Sequence, residues 1–424
     1  MWPNIKIMRL CVLICSLFTV ARCGGQVQTS KNVQTTKNLP RPVRLSERIG
    51  NFSLELLYHT TYAQEKRTNL IISPITVWSV LAVTTDGASG NTLIELERAA
   101  RLPSKKNRDV VRNDYKQLHQ YLIVNTTTVE LQKFNAMFVD PTSYPRQDFI
   151  DVAREYETRM IVTNFSNSEL TSNLINTVIS NVTRGHIPKL VSADDIRGAS
   201  LLLTSAVYFK GQWTVPFNAS STFKDTFFDS NGKILGEVNM MYSRYTYPFA
   251  YIKELQARIL EIPYGSQDRL SMLIMLPDSG VSLENMFRNF INVSLDEVFA
   301  GLKLAQEEYS EDEVDCFLPR YKIDTSLSLT DALQKMGIRD LFQENVARLE
   351  GIANKPLYVS KFVHKAEIEV TEEGTVAAAA SAAEFSNRIG VIRFEANRPF
   401  CFLIIEKITN TITFGGFYHT PSLY

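Results

Sequence analysis

The side chains that could do chemistry are few and scattered along the 424 residues. The five histidines, His59, His119, His186, His364 and His419, show no pair at zinc-ligand spacing, and no Cys-X-X-Cys is present. The Gly-X-Ser-X-Gly elbow of hydrolases is absent, and the nearest string, Gly87-Ala88-Ser89-Gly90, lacks the middle residue. There is no Walker loop and no dinucleotide fingerprint. A catalytic triad can be scattered, but nothing here supports one. No metal or resident cofactor is expected.

Three other patterns concentrate chemistry. Arg108, Arg112 and Lys116 recur every four residues, on one face of a helix that begins with Lys105 and Lys106. That stripe reads either as a site for a polyanion such as a sulfated glycosaminoglycan, or as a solvated face interrupted by Asp109 and Asp114. Six Asn-X-Ser/Thr triplets, at Asn51, Asn125, Asn164, Asn181, Asn218 and Asn292, would mark exposed positions if glycosylated. The third pattern is EEGTVAAAASAAEFSNRIGVI at 372–392, a low-bulk segment between two apolar runs. Composition alone makes Val376 to Glu384 an ordinary helix. Its surroundings argue otherwise. Gly374 is a hinge candidate, and small side chains suit a segment that slides between packed strands without overpacking them.

The elements that must position these residues follow from composition and periodicity. Hydrophobic residues make up 45%, charged 21% and aromatic 10%, which is a globular profile. Lys+Arg and Asp+Glu are both 45, so no nucleic-acid partner is expected. Lys6 and Arg9 precede an apolar run from Leu10 to Val20, and Ala21 and Cys23 follow at signal-peptidase spacing. Residues 1–23 are therefore expected to be a signal peptide of a secreted, extracellular protein. Eleven apolar residues are too few for a bilayer, which needs roughly 20, so no membrane anchor is expected. Removing that leader takes away three basic residues and no acids, leaving a net charge of −3. Residues 24–45 are polar and aperiodic, a flexible tail. Cys316 and Cys401 lie in apolar strand-like runs and are expected as buried thiols, with a single disulfide as the alternative.

From residue 46 the chain reads as one large α+β domain, 46–424, helices first and antiparallel strands mostly later. Helical spacing begins at Ser46, and Ser73-Pro74 opens a second helix with Ser as its cap. Further helices are predicted near 91–99, 105–122, 146–158 and 169–184, then a long buried strand at 199–210. Strands follow at 222–229, 237–247, 248–254, 257–263, 270–277, 313–323, 357–371 and within 393–418, with short helices near 282–301 and a helical stretch after 323.

Separated motifs in this order resemble one family. Asn69 to Pro74 is similar to its N-x-x-x-S-P helix opening. Leu203-Thr204-Ser205-Ala206-Val207-Tyr208-Phe209-Lys210-Gly211-Gln212-Trp213 resembles its L-T-N-A-I-Y-F-K-G-x-W strand. His364-Lys365-Ala366 leads into Glu372-Glu373-Gly374-Thr375, Phe394 to Phe400 resembles the signature after a reactive loop, and Phe414-Gly415-Gly416 with Pro421 matches the carboxyl end. The chain is similar to the serpins over roughly residues 45–424. Thr76, Val178 and Val376 depart from the family pattern, where Ser, Trp and Glu are usual.

The resemblance implies the serpin fold, with large mainly antiparallel sheets, about nine helices and an exposed reactive-centre loop at 372–392. It also implies a suicide inhibitor of serine proteases, itself no enzyme. A protease attacks the loop, an acyl-enzyme forms, and the cleaved loop enters the main sheet as a new strand. The hinge, Glu372, Glu373, Gly374, Thr375, Val376, Ala377, Ala378, Ala379 and Ala380, carries no charge or proline from Gly374 onward. Strand alternation puts Thr375, Ala377, Ala379, Ser381, Ala383 and Phe385 on one face and Glu384 with Arg388 on the other.

Family spacing counted forward from Thr375 and backward from Pro399 meets at Arg388, which places the scissile bond at Arg388–Ile389. An Arg there fits a trypsin-like pocket, and hence a trypsin-like partner in an extracellular cascade, immune or clotting. By position, Arg320 faces Glu372 at the top of the sheet near Trp213, and Ser73, Asn176 and His364 fall in the central sheet-opening region. A monomer is expected. The alternative is a non-inhibitory serpin serving as carrier, chaperone or storage protein, whose hinge would be expected to carry bulk or charge.

Overall fold

The computed structural model describes residues 44–62, 67–124, 126–290, 293–308, 311–373 and 391–424. The expected signal peptide and nearly all of the tail, the hinge from Gly374 onward, Arg388, Ile389, Asn125 and Asn292 lie outside the described residues.

The helices are α1 (Leu45–Tyr62), α2 (Pro74–Asp86), α3 (Gly90–Ala99), α4 (Arg108–Leu122), α5 (Gln147–Glu155), α6 (Ser168–Val182), α7 (Ala193–Ile196), α8 (Leu283–Asn289), α9 (Leu295–Glu308) and α10 (Thr330–Lys335). The strands are β1 (Leu70–Ile72), β2 (Val129–Val139), β3 (Thr158–Val162), β4 (Leu201–Gly211), β5 (Phe223–Phe228), β6 (Ile234–Tyr245), β7 (Phe249–Ile252) and β8 (Ala257–Tyr264). They continue with β9 (Leu270–Pro277), β10 (Val314–Pro319), β11 (Tyr321–Ser328), β12 (Val359–Val370), β13 (Ile392–Glu395), β14 (Phe400–Glu406) and β15 (Thr411–Tyr418). No described helix is long and apolar enough to cross a membrane.

Three sheets result. The main sheet has the order β11-β12-β4-β2-β3, a six-stranded sheet β1-β15-β14-β9-β8-β7, and a third β13-β10-β6-β5. In the main sheet β11 and β12 are antiparallel, β12 and β4 parallel, β4 and β2 antiparallel, and β2 and β3 parallel. β4 lies centrally because its first nine residues are apolar or small and all are buried. Phe134, Ala136, Phe138, Leu202, Ala206 and Tyr208 on one face meet Ile175 and Ile179 of α6. Met137, Val139, Leu201, Leu203 and Phe362 on the other face join α1, α2 and the lower helices.

Three expectations change. β2 and β3 were not predicted as strands. β2 carries Glu130, Gln132, Lys133 and Asn135 among its apolar residues, which hides its period. The helix predicted to 158 ends at Glu155, and Glu157 (φ 57°) turns the chain into β3. The strand predicted at 313–323 is two strands. β10 pairs with β6 and β13, β11 pairs with β12 in the main sheet, and Arg320 occupies the corner between them. Cys316 and Cys401 are both free and buried, and burial pushes both thiols up.

Gly416 in β15 shows what the carboxyl-end motif does. A Cβ there would lie 2.4 Å from the Leu70 main-chain oxygen and 2.3 Å from Phe402 Cζ. Backbone cannot yield as a side chain can, so β1 packs against β15 only over glycine. Gly416→Ala is expected to cost about 1–3 kcal/mol through overpacking, read as a lower urea midpoint of unfolding.

Candidate functional site

The candidate site is the seam between β12 and β4 and the ground above it, where the chain leaves the sheet toward residue 374. The two strands pair in parallel from Val359↔Leu201 to Ile368↔Phe209, with one irregularity near the start of β12. At the top, Trp213 follows β4 and its Nε1–H donates to the Thr371 main-chain oxygen at 2.9 Å. The ring stacks on Tyr264, with centroids 4.4 Å apart. Phe217 N donates to the Glu372 main-chain oxygen at 3.2 Å. The Glu372 side chain is buried, accepts the Thr222 hydroxyl at 2.6 Å and pairs with Arg320 Nη1 at 3.4 Å. Glu372, Arg320 and Trp213 are thus brought together around the base of the loop, and Glu373 follows them.

At the middle of the seam, three adjacent strands each send one polar side chain to the start of α2. His364 of β12 is fully buried, and its Nε2 accepts the Ser73 N–H at 3.1 Å. Ser205 of β4 donates to Thr76 Oγ1 at 2.7 Å, and Asn135 of β2 donates to Ser79 Oγ at 2.9 Å. From sequence the Ser73 side chain is expected to cap α2, but it makes no capping hydrogen bond. Its hydroxyl donates to the Thr413 main-chain oxygen at 2.7 Å, which ties the helix start to β15. Asn176 is not part of this cluster. It lies on α6, where its side chain accepts from Leu190 N and Val191 N and donates to Val191 O, all at 2.8–3.0 Å. Ser205, Asn135, Thr76, Ser79 and Thr222 were missed. The signal available for two of them was a lone polar residue inside an apolar strand, Ser205 in LLLTSAVYF and Asn135 in FNAMFV.

The basic stripe does not form an exposed face. Arg108 is buried, with Nε 3.0 Å from Asp86 and Nη2 2.8 Å from Glu97. Arg112 pairs with Asp86, Asp109 and Glu155, and Lys116 with Glu155. The spacing put the three on one helix face, but α4 turns Arg108 inward onto α2 and α3, and acids spend the other two. Among the described sequons, Asn51, Asn164 and Asn181 are exposed and Asn218 is half-buried. Among the described residues, no group of three or more His, Cys, Asp or Glu could hold a metal.

Burial lowers the His364 imidazole to about 3. The sign of its linkage follows. The unfolded imidazole takes a proton near 6.5, the folded one only near 3, so folding is favoured above 6.5 and that advantage falls as pH drops through the window between them. Protonation also turns the acceptor of Ser73 N–H into a donor. The wild type is expected to lose stability at up to about 1.4 kcal/mol per pH unit from this one group between 6 and 4. His364→Gln, which keeps an acceptor, is expected to flatten the urea midpoint against pH by one proton. His419, lowered to about 4 by burial, and His59 and His119, also lowered by burial, leave a residual slope.

Residues 47–421 match the family described as Serpin (serine protease inhibitor). The leukocyte elastase inhibitor of Xenopus tropicalis is 33% identical over 388 residues, covering 89% of this chain and 99% of its own. Human Serpin B9 is 32% identical over 385 residues, covering 89% and 99%. Human thyroxine-binding globulin, in a crystal structure with its thyroid hormone, superposes at a TM-score of 0.76 with 26% identity, covering 89% of this chain and 98% of that one. The Manduca sexta serine protease inhibitor serpin-12 shares the fold at a TM-score of 0.75 and 23% identity, covering 90% and 100%.

Proposed function

The chain belongs to the serpin family of protease inhibitors, and from that premise we propose that it is a secreted, extracellular suicide inhibitor of a trypsin-like serine protease, cleaved at Arg388–Ile389. One observation carries the reading. A parallel pair, β12 and β4, stands side by side, and the chain leaving the top of β12 has an uncharged, small-residue hinge. A segment folding back from that point runs antiparallel to both strands and can pair with each.

The chemistry balances without a cofactor. The protease serine oxygen attacks the Arg388 carbonyl, the peptide bond to Ile389 breaks, and its nitrogen leaves with the proton that the protease base took from the serine. Arg388 is left as an ester on the enzyme. From Thr375 to Arg388 is thirteen residue steps, roughly 43 Å of extended chain, so insertion of that length carries the esterified protease along the sheet before water can release it.

Arg388 supports the trypsin-like class, because a guanidinium can form a bidentate pair with a carboxylate at the base of a pocket. The Xenopus relative is an elastase inhibitor by name, and the residue at this position is the feature that would set this chain apart from that target. An Arg before a hydrophobic residue also resembles zymogen activation sites, which supports a role in an immune or clotting cascade. The charged leader at Lys6 and Arg9 and the six sequons support secretion. The second reading, a carrier, chaperone or storage serpin, has the likeness to thyroxine-binding globulin in its favour and the small, uncharged hinge against it.

Incubation with a trypsin-like protease is expected to give a complex that survives a denaturing gel. Arg388→Ala is expected to slow its formation on the order of 10²–10³-fold, since it leaves a pocket carboxylate unpaired. Cleavage after Arg388 without a complex would give the second reading the lead. The exported protein is expected to begin near Gly24 on amino-terminal sequencing.

A further inference from the structure

Tyr424 lies outside every motif singled out in the sequence, yet it touches β6, β12 and the Arg320 corner before β11. Its main-chain oxygen accepts Arg320 Nε–H at 2.5 Å and Asn239 Nδ2–H of β6 at 2.9 Å. Its hydroxyl donates to Glu369 Oε1 of β12 at 2.6 Å, three residues before Glu372. Arg320 N in turn donates to the Asn239 main-chain oxygen at 2.8 Å. The segment before it is also fixed, with Ser422 N donating to the Tyr418 hydroxyl and Pro421 seated against Gly236.

Arg320 needs such a support. Its contacts with the Glu372 carboxylate are long, 3.4 and 3.5 Å, and about a third of its side chain is exposed. A long guanidinium side chain in that setting has many rotamers, and ordering it is entropically costly. The short bond to the Tyr424 oxygen selects the one rotamer that points Nη1 at Glu372. Neighbouring tie Lys322–Glu367, 2.7 Å, joins β11 to β12 without touching Arg320 or Tyr424, so it gives no such guidance.

We propose that Tyr424 is a positioning residue for loop insertion, aligning Arg320 on Glu372 and gripping Glu369 so that the base of the loop stays at the top of the closed β12–β4 seam until cleavage. The proposal rests on the loop-insertion reading above. The hydroxyl bond to Glu369 seats the residue and its main-chain oxygen then holds Arg320, so the effect of losing the hydroxyl passes through Arg320 and must disappear when Glu372 can no longer answer the guanidinium. A role in packing alone would not depend on Glu372.

The test uses the uncleaved full chain and a fluorescent peptide with the sequence of residues 375–387, whose uptake into the sheet is followed on a native gel. Tyr424→Phe is expected to speed uptake about tenfold, the loss of one hydrogen bond to a charged group. Asn239→Ala, which frees the same oxygen from the other side, is expected to act in the same direction. Glu372→Gln is expected to speed uptake too, and the Glu372→Gln/Tyr424→Phe double variant to be no faster than Glu372→Gln alone. Wild-type uptake rates in Tyr424→Phe, or full additivity in the double variant, would overturn the proposal. A wild type that neither takes up the peptide nor traps a protease would overturn the loop-insertion reading itself, and this proposal with it.

Discussion

β12 and β4 are parallel neighbours with nothing between them, and the rest of the upper molecule is arranged around keeping them together. A parallel ladder is slightly less stable per residue than an antiparallel one. A strand returning from the top of β12 would replace that one parallel ladder with two antiparallel ladders. The closed sheet is therefore not the best pairing open to these residues. Contacts outside the ladder oppose its separation.

Those outside contacts are few, buried and polar. His364, Ser205 and Asn135 stand on three consecutive strands and all reach the first turns of α2. Each bond is worth only about 1 kcal/mol net, but a buried donor or acceptor left alone costs more. Small movements of β12 from β4 are therefore resisted, while a large movement that rebuilds the pairing is not prevented by any one of them. Trp213 does the same work higher up. Its ring is packed on Tyr264 of the six-stranded sheet while its N–H holds Thr371, so the top of the seam is fixed from outside the main sheet. Apolar packing alone would tolerate sliding, whereas these bonds hold one spacing.

Much of this was legible in the sequence, and the exceptions have a common cause. The apolar run of β4 followed from its period, while the pairing of Arg320 with Glu372 and the placing of Ser73 and His364 in one region followed from the family resemblance. β2 did not, because Lys133 and Asn135 in its middle serve contacts to α4 and α2 and so break the alternation that marks a strand. The polarity that hid the strand is the polarity that ties it down. Arg108 failed for a related reason. Helical spacing places a residue on a face but cannot say that Asp86 and Glu97 come from other helices to meet it, and burial of the Asp86 carboxyl raises it against the pull of both guanidiniums. Tyr424 had no local signal at all, since its partners lie on β6, β12 and the corner before β11.

Asn176 shows how the two ends of the seam are held differently. It sits on α6 and fastens that helix to residues 190–191, the segment that leads through α7 into β4. α6 shares one hydrophobic cluster with three residues each of β2 and β4 and with Val363 of β12. The lower end of the seam is crossed by an ion pair between Lys361 and Asp195, and by Ser200 N donating to Ser360 Oγ at 2.8 Å. Asp195 is also held in a capping box with Ser192, so that crossing is rigid. At the upper end the crossing contacts are the Trp213 and Phe217 bonds to the main-chain oxygens of Thr371 and Glu372. The seam is thus pinned below by charge and a capped helix start, and above by neutral bonds to two main-chain oxygens.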